Sequence, residues 1–247
     1  MGRFLESIVI PRSIQQVGVV RWLKRFRPLV RSIQECQKAL GLLMRPYLVS
    51  SYLRSHSVRK LQLGANVILL PEWLNTDLYP QSPGSITLDA TRPFPFPDAS
   101  FDYVFSEHQM EHIPFEGALN MIRESFRILR SGGRIRIALP SVNPLLDLFA
   151  ANRTDQQNRY IDNRTKLCYP NALASGPCYA VNAAFMNWGH RFLYDRETLG
   201  QILLSIGFTE VRFFVPGKSD DANLTGIECR ISDIDIYETM VIQATRP

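Results

Sequence analysis

LQLGANVILLPEWLNTDL, residues 61–78, is the stretch that decides the fold. It predicts a short buried strand, a tight turn at Gly64 and a second strand that ends in an acid, Asp77. Ligands of open α/β sheets bind outside the carboxyl ends of the strands, so both residues should face one crevice. A glycine lets the backbone approach a ligand, and a carboxylate can accept hydrogen bonds from two neighbouring hydroxyls. The stretch therefore predicts a ribose-binding edge, although it lacks the three glycines of a dinucleotide fingerprint.

The composition narrows the class of protein. The 247 residues suffice for one domain with a sizeable core and an added segment. The four cysteines form no CxxC pair, so they indicate neither a disulfide framework nor a cysteine zinc site. No apolar run is long enough to span a bilayer, and the first residues do not read as a signal peptide. We expect a soluble, cytoplasmic protein.

Basic charge is concentrated in residues 1–60, which we interpret as a basic helical arm. This segment holds twelve Lys and Arg against two acidic residues, whereas the remainder holds sixteen basic and 21 acidic residues. Helical spacing over residues 13–56 predicts two or three short helices, broken at Pro28 and Pro46. The cations of the arm suit peripheral contact with an anionic membrane, and the other interpretation is an arm packed on the domain with its charges in water. The densest part of the cluster comprises Arg21, Lys24, Arg25, Arg27 and Arg31.

Two further strands deliver polar residues to the same edge. Residues 86–91 are strand-like and carry a second acid, Asp89, at the carboxyl end. A proline-rich loop, residues 92–100, excludes a helix interior and leads directly to a strand over residues 101–105. Because that strand also runs parallel, the residues that follow it should face the same crevice.

The next segment predicts a helix and a fifth strand. Apolar residues share one face over residues 115–130, and the pair Gly132-Gly133 is expected to end that helix. Residues 134–140 then alternate as a strand. Arg134 and Arg136 alternate with Ile on it, so we expect both to face solvent.

The last third contains a long insert and the end of the sheet. Residues 141–195 are too many for a simple connection and form a candidate acceptor lid. Asp195 is placed to cap a helix that Gly207 closes. Strands over residues 209–215 and 234–244 follow without a helix between them, which predicts an antiparallel hairpin at one edge of the sheet.

In this order the pieces resemble the class I S-adenosylmethionine-dependent methyltransferases, most closely the small bacterial methyltransferase type 11-like group. The resemblance runs from Leu61 to Pro140 and resumes with the run GHRFLYD from Gly189. It implies an α/β, Rossmann-like sheet over residues 61–247, mostly parallel with an antiparallel C-terminal edge strand. It also implies S-adenosyl-L-methionine as the cofactor and methyl transfer as the reaction.

The resemblance further implies which residues bind the cofactor. The expected set consists of Gly64, Ala65 and Asn66 for the methionine moiety, Asp77 and Leu78 for the ribose, Asp89, Ala90 and Thr91 for the adenine, and Ser106 and Glu107 beside the methionyl amino group. The family usually has Gly-Cys-Gly or Gly-Ser-Gly in the first loop, where this chain has Gly-Ala-Asn. Asparagine tolerates a left-handed backbone, so the turn can be kept. The departure leaves open a degenerate, non-catalytic binding protein.

Three of the four histidines fall in segments expected to face the cofactor. We interpret His108 and His190 as candidate catalytic residues, because methylation of a hydroxyl is helped by a base. His108, Glu111 and His112 stand at i, i+3 and i+4, a spacing that can hold a divalent metal with His190 as a fourth ligand. The other interpretation, which we adopt at this point, is that no metal binds and that Glu111 and His112 orient the following helix by hydrogen bonds.

The sequence therefore predicts an S-adenosylmethionine-dependent methyltransferase. We expect O-methylation of a small molecule or glycan, with nitrogen as the less favoured acceptor atom. The basic arm and the histidine cluster keep an RNA methyltransferase open as an alternative, although we do not expect nucleic acid as a partner. The sequence does not specify the acceptor or the oligomeric state.

Overall fold

A computed structural model describes residues 27–82 and 84–247 of the chain. The strands are β1 (Lys60–Leu63), β2 (Leu74–Asp77), β3 (Ser85–Thr87), β4 (Phe101–Glu107), β5 (Leu129–Pro140), β6 (Thr209–Phe214) and β7 (Thr239–Thr245). The helices are α1 (Arg27–Ser55), α2 (Phe115–Ile128), α3 (Val142–Leu146), α4 (Asp155–Cys168), α5 (Pro177–Met186), α6 (Arg196–Ile206) and α7 (Asp233–Glu238).

The seven strands form one sheet in the order β3-β2-β1-β4-β5-β7-β6. Strands β1 to β5 pair in parallel, and β7 runs antiparallel to both of its neighbours, β5 and β6. The predicted mostly parallel, Rossmann-like sheet with an antiparallel strand at the C-terminal end is confirmed. In detail, β7 is inserted next to β5, and β6 is the outermost strand of the sheet.

The start of the last strand was predicted wrongly. Residues 234–238 belong to helix α7, and β7 begins only at Thr239. The Ser232 hydroxyl caps this helix by accepting a hydrogen bond from the Asp235 amide at 3.2 Å. A serine before two acids is a helix-start signal, which the apolar alternation of Ile234 and Ile236 obscured.

Helix α1 spans the described part of the arm, and the break predicted at Pro46 is wrong. The helix runs unbroken from Arg27 to Ser55. The part of the prediction that concerns residues 13–26 lies outside the described residues, and the break at Pro28 depends on those residues and stays a prediction. Pro46 lies inside the helix, which tertiary contacts hold in place: Val49 and Tyr52 are buried in the main core, and the Tyr52 hydroxyl accepts a hydrogen bond from the Lys60 amide at 2.8 Å.

The predicted contact between the basic arm and a membrane falls mostly outside the described residues. Arg21, Lys24 and Arg25 precede the first described residue. Among the helices of residues 27–82 and 84–247, none combines the length and apolar character needed to cross a membrane.

Glycine does not end helix α2 as expected. The helix stops at Ile128, and Leu129 already has extended backbone angles. Gly132, with φ of 78°, lies in an irregular part of β5, where the pairing with β4 shifts register. Its amide donates to the Arg246 carbonyl at 2.8 Å. The glycines therefore shape the start of β5 where it contacts the end of β7. Local rules for helix ends do not predict this long-range role.

The two faces of the sheet are covered differently. Helices α1, α2 and α6 pack on one face, where Val49, Met121 and Leu203 join the largest core cluster. On the other face, Phe105 packs with Trp73 and with Leu224 of the segment 215–232, which connects β6 to α7. Successive residues of a strand point to opposite faces, so Val104 and Phe105 serve these two different cores.

The expectation that Arg134 and Arg136 face solvent was wrong for Arg136. Its side chain is fully buried, and its Nε is 2.5 Å from Oε1 of Glu228, which is also fully buried. Arg134 is partly exposed and pairs with Asp220 at 2.9 Å. The segment 215–232 supplies both acids, so it covers a face that strand alternation alone assigns to water.

The insert at residues 141–195 forms a small core of its own. Tyr160 of α4 and Ala180 of α5 are fully buried in it. Helix α7 joins this core, because Glu238 accepts hydrogen bonds from the Tyr160 hydroxyl at 2.5 Å and from Arg164 Nη2 at 2.6 Å. The insert is therefore anchored to the end of β7 and stands at the carboxyl edge of the sheet.

Candidate functional site

The carboxyl ends of four parallel strands lie side by side. Leu63 of β1 pairs with Thr76 of β2 on one side and with Ser106 of β4 on the other. Asp77 pairs with Thr87 near the end of β3. The loops that follow β1, β2, β3 and β4 therefore open onto one edge, as the sequence predicted.

The glycine loop after β1 adopts the conformation that its sequence requires. Gly64 has φ of +70°, and a Cβ atom placed there would lie 2.7 Å from the Gln109 side chain. Asn66 has φ of +48°, the left-handed region expected for it, and its side chain is exposed. The turn is thus retained in spite of the Gly-Ala-Asn sequence.

Asp77 is held at the edge by backbone groups. Its Oδ2 accepts a hydrogen bond from the Asn66 amide at 3.0 Å, and its Oδ1 accepts one from the Tyr79 amide at 2.9 Å. A carboxylate offers about four acceptor positions, so these two bonds orient the group and leave capacity for two ribose hydroxyls. The loop after β1 and the acid after β2 form one unit, as expected.

Asp89 is placed by its own turn. Its Oδ1 accepts hydrogen bonds from the Thr91 amide at 2.9 Å and from the Thr91 hydroxyl at 2.6 Å. Ala90 is buried, whereas Leu78 and Thr91 are partly exposed at the edge. The residues expected at the ribose and adenine positions therefore follow adjacent strands.

Ser106 and Glu107 point to opposite faces and have different surroundings. The buried Ser106 hydroxyl contacts Gln109 Oε1 at 3.3 Å. Glu107 instead accepts hydrogen bonds from the amides of Cys229 and Arg230, at 3.1 and 3.0 Å, and from the Cys229 thiol at 3.0 Å. Burial and the adjacent Glu107 charge raise the pKa of Cys229 to about 12. Glu107 therefore contacts the segment 215–232. Ser106 instead contacts Gln109, whose side chain covers Gly64 of the glycine loop.

Gln109 is a site residue that sequence reasoning missed. Its side chain covers Gly64, at the position expected for the methionine moiety, and contacts Ser106. The run SEHQMEH contains it, but a neutral amide among ionisable residues has no charge or ligand spacing that marks it as a site residue. A flexible amide beside the glycine loop can donate to or accept from a bound amino acid moiety.

A cluster of histidines and one glutamate lies beyond the cofactor edge. Ligand atoms of Glu111, His112 and His190 all lie within 4.8 Å of one another. The Glu111 carbonyl accepts hydrogen bonds from the amides of Arg191, at 2.6 Å, and Phe192, at 3.2 Å. These backbone bonds join the turn after β4 to the end of the insert, so they bring His190 to His112, whose ring centroid is 4.9 Å away. We name Glu111, His112 and His190 the acceptor-side cluster.

The ring orientation of His190 is fixed by its surroundings. Its Nδ1 is 2.5 Å from the carbonyl oxygen of Ala184, which lies in the last turn of α5. A carbonyl can only accept, so Nδ1 carries the hydrogen and the neutral ring keeps its lone pair on Nε2. His190 is partly exposed, and Trp188 lies alongside it with ring centroids 6.0 Å apart.

His108 occupies a different position from the one expected of a base in contact with an acceptor. Its side chain is only 4% exposed, and its Nδ1 is 3.2 Å from Glu111 Oε1. Its Nε2 is 3.2 Å from the hydroxyl of Thr239 at the start of β7. His108 therefore has a partner on each ring nitrogen and is buried against Glu111.

Glu111 provides a buried negative charge. Burial acts to raise its pKa, but the hydrogen bond from His108 and the positive charges of His108 and His112 outweigh burial, so the pKa of Glu111 lies below its usual value. Burial and this charge together raise the pKa of Tyr194, whose phenol stays neutral. The cluster combines an ionised carboxylate with imidazoles, which suits proton transfer or metal binding.

Comparisons with known proteins agree with this geometry. Residues 72–137 match the family described as Methyltransferase domain. No curated protein matches the chain significantly.

Several solved structures are similar to this chain. An S-adenosylmethionine-dependent methyltransferase from Archaeoglobus fulgidus is 16% identical with a TM-score of 0.47, covering 85% of this chain and 94% of its own. One from Thermotoga maritima is 15% identical with a TM-score of 0.44, covering 90% and 98%. Phosphoethanolamine N-methyltransferase 2 from Haemonchus contortus, in complex with S-adenosylhomocysteine, is 12% identical with a TM-score of 0.42, covering 77% of this chain. The present chain spans 49%, about half, of the Haemonchus protein.

The residues at the strand ends fit the cofactor of this family. Gly64 gives a bend without a side chain, Asp77 is oriented with acceptor capacity remaining, and Asp89 is held on the neighbouring strand end. The match to the Methyltransferase domain family over residues 72–137 includes Asp77, Asp89 and Ser106, and the chemistry at these strand ends suits S-adenosyl-L-methionine as the methyl donor.

Proposed function

We propose that the chain transfers a methyl group from S-adenosylmethionine to an oxygen of a small molecule or glycan. The acceptor would bind between the cofactor edge and the insert at residues 141–195. Gly64, Asp77, Asp89 and Ser106 would hold the cofactor, and the acceptor-side cluster would meet the hydroxyl. The proposed cofactor-binding set is completed by Ala65, Asn66, Leu78, Ala90 and Thr91. It leaves out Glu107, whose carboxylate accepts hydrogen bonds from the amides of Cys229 and Arg230.

The observation that carries this proposal is the orientation of His190. The Ala184 carbonyl fixes the hydrogen on Nδ1, and the backbone bonds between Glu111 and Arg191 hold the ring next to His112. A hydroxyl acceptor must lose a proton, and a partly exposed imidazole with a fixed lone pair is suited to accept it. A nitrogen acceptor that is neutral has less need of such a group.

The reaction that we propose is an in-line displacement. The acceptor oxygen forms a bond to the methyl carbon while the bond from that carbon to the sulfonium sulfur breaks. S-adenosylhomocysteine leaves as a neutral thioether, and His190 Nε2 takes the hydroxyl proton. Alignment of donor and acceptor supplies much of the rate in such reactions, and a positioned base typically contributes about 10²- to 10⁴-fold.

His190→Ala tests the assignment. We expect turnover to fall by about 10²-fold or more, with the affinity for S-adenosylhomocysteine unchanged. The assay follows radiolabelled methyl transfer to a panel of monosaccharides and phenols, and mass spectrometry identifies the methylated atom. Calorimetry measures the affinity for S-adenosylhomocysteine.

His56→Ala is the matched control. His56 follows the end of α1, and its Nε2 is 3.9 Å from the exposed Glu72 carboxylate, so it also has a glutamate partner but lies away from the insert. We expect this variant to keep full activity. Equal loss of turnover and cofactor affinity in His190→Ala would contradict the assignment of His190 to the acceptor.

The binding measurement distinguishes an active methyltransferase from the degenerate, non-catalytic alternative. Calorimetry that detected no affinity for S-adenosylmethionine or S-adenosylhomocysteine would support that alternative. The left-handed backbone of Asn66 and its exposed side chain favour the catalytic interpretation, because the loop keeps its turn.

A further inference from the structure

We infer that Glu111, His112 and His190 bind a divalent transition-metal ion, with zinc as the representative. This inference rests on the proposed function and revises one part of it, because the metal ion would replace His190 as the group that activates the acceptor hydroxyl. The three side chains supply one carboxylate oxygen and two imidazole nitrogens, and those atoms lie within 4.8 Å of one another. Two histidines and one acid are a ligand set that catalytic zinc and related ions use, with the fourth position left open.

The buried carboxylate of Glu111 is the first reason for this inference. Its side chain is fully buried, and its ion-pair partners among the described residues are imidazoles: His108 Nδ1 at 3.2 Å and His112 Nε2 at 3.8 Å, both from Oε1. Buried charges in proteins are paired or coordinate metals, and a buried carboxylate beside imidazoles is a ligand group for a divalent cation.

The second reason is the support around His190. Metal-binding histidines commonly donate their other ring N–H to a backbone carbonyl, which orients the ring and leaves the lone pair toward the metal. His190 Nδ1 makes this bond to Ala184 at 2.5 Å. The Glu111 carbonyl, held by the Arg191 and Phe192 amides, fixes the distance between the two chain segments.

The spacing requires a small adjustment on binding. Ligands at about 2.0 to 2.1 Å from a zinc ion lie closer together than the observed spread of up to 4.8 Å. His112 is 31% exposed and His190 is partly exposed, so an ion can reach both imidazoles from the solvent side. Small shifts of the side chains that keep the bond from His190 Nδ1 to Ala184 would bring the ligand atoms to metal distance. His108, which is buried against Glu111 and Thr239, acts as a positioning residue for the carboxylate.

A metal at this position would change how the acceptor is activated. Glu111, His112 and His190 would hold the ion, and its open position would supply Lewis-acid activation of the acceptor hydroxyl, whose proton would pass to solvent. His190 Nε2 then serves as a ligand in the loaded protein, since the same lone pair cannot hold a proton and a metal. The oxygen still attacks the methyl carbon, and S-adenosylhomocysteine still leaves.

Metal binding by the full chain tests the inference without any turnover. The protein is dialysed against a chelator and then titrated with zinc by calorimetry, and with cobalt by visible absorption. We expect one equivalent of each metal, with a cobalt spectrum typical of nitrogen and oxygen ligands. His190→Ala should weaken zinc binding by about 100-fold or more, since loss even of a supporting residue can cost that much.

His56→Ala and Glu111→Gln complete the design. His56→Ala should bind zinc as the wild type does, and Glu111→Gln should lose affinity as His190→Ala does, with circular dichroism confirming that each variant folds. If Glu111→Gln does not fold, His112→Gln takes its place. Absence of stoichiometric metal in the wild type, or equal losses in His56→Ala and His190→Ala, would overturn the inference. Metal binding without methyl transfer would refute the proposed function alone, and methyl transfer by a wild-type protein that binds no metal would refute the metal site alone.

Discussion

The cofactor edge and the acceptor-side cluster are assembled in different ways. At the cofactor edge, Asp77 and Asp89 are each oriented by an amide two residues later, at 2.9 Å in both cases. In the acceptor-side cluster, Glu111 meets residues about eighty positions away, through the Arg191 amide and the His190 ring. Local turns build the first region, and closure of the insert on the sheet builds the second.

This difference predicts that the two regions respond differently to mutation. A site that each strand end builds for itself loses one contact when one residue changes. A site that depends on distant segments also depends on whatever holds those segments in place. The segment 215–232 is another example of the second kind, because Glu228 and Cys229 reach back to Arg136 and Glu107.

The largest loss of stability should follow from breaking a contact between segments that are distant in sequence. Glu228→Ala leaves the buried Arg136 charge without its partner, whose carboxylate also accepts from the Gly217 amide at 2.9 Å. We expect the free energy of unfolding to fall by about 3 to 5 kcal/mol, measured by denaturant titration.

Two controls define this prediction. The double variant Arg136→Met, Glu228→Leu removes both charges and should recover most of the loss. Asp162→Ala breaks an exposed pair with Lys166, 3.9 Å apart, and should cost less than about 0.5 kcal/mol. If Glu228→Ala cost no more than Asp162→Ala, the buried pair would not hold the segment 215–232 on the sheet.

A smaller effect is expected at the cofactor edge. Asp77→Ala should weaken S-adenosylhomocysteine binding by about 1 to 3 kcal/mol, the range for losing hydrogen bonds to a charged group, as measured by calorimetry. Asp102→Ala is the control, because Asp102 lies at the start of β4, where it pairs with Arg130 at 3.0 Å. An equal loss of affinity in both variants would mean that Asp77 acts through stability and not through the ribose.

The smallest effect should come from a purely local contact. Asp195 caps α6 by accepting from the Thr198 amide at 2.7 Å, and the hydrogen bonds from Thr198 lower the pKa of Asp195. Asp195→Ala should reduce the free energy of unfolding by about 1 kcal/mol at pH 7, measured by denaturant titration.

The pH dependence of this cap has a definite sign. Because the folded pKa is lowered, the stabilisation is complete above the unfolded value of about 3.9 and is lost as the pH falls through the folded value. The difference between wild type and Asp195→Ala should therefore shrink below about pH 4. A difference that stayed constant into strong acid would show that the charge of Asp195 does not contribute.

The sequence by itself determined the order of the strands, the acids at their ends and the glycine turn. These features depend on residues close together in the chain: Asn66 follows Gly64 in the turn, Thr91 follows Asp89, and Asp195 precedes its helix. Local backbone geometry limits their conformations, so their residue types carry the signal.

Only the tertiary structure decided which charges are buried and which histidines meet. Strand alternation assigned Arg136 to solvent, because nothing near it in sequence announces Glu228 from the segment 215–232. Pro46 suggested a break in α1, but the helix continues through it and packs against β3, where it approaches Thr87 closely at Gly41. His108 is buried, whereas His112 and His190 meet in the cluster. This difference likewise depends on how the insert packs on the sheet. Such contacts arise from the packing of distant segments, and no local pattern encodes them.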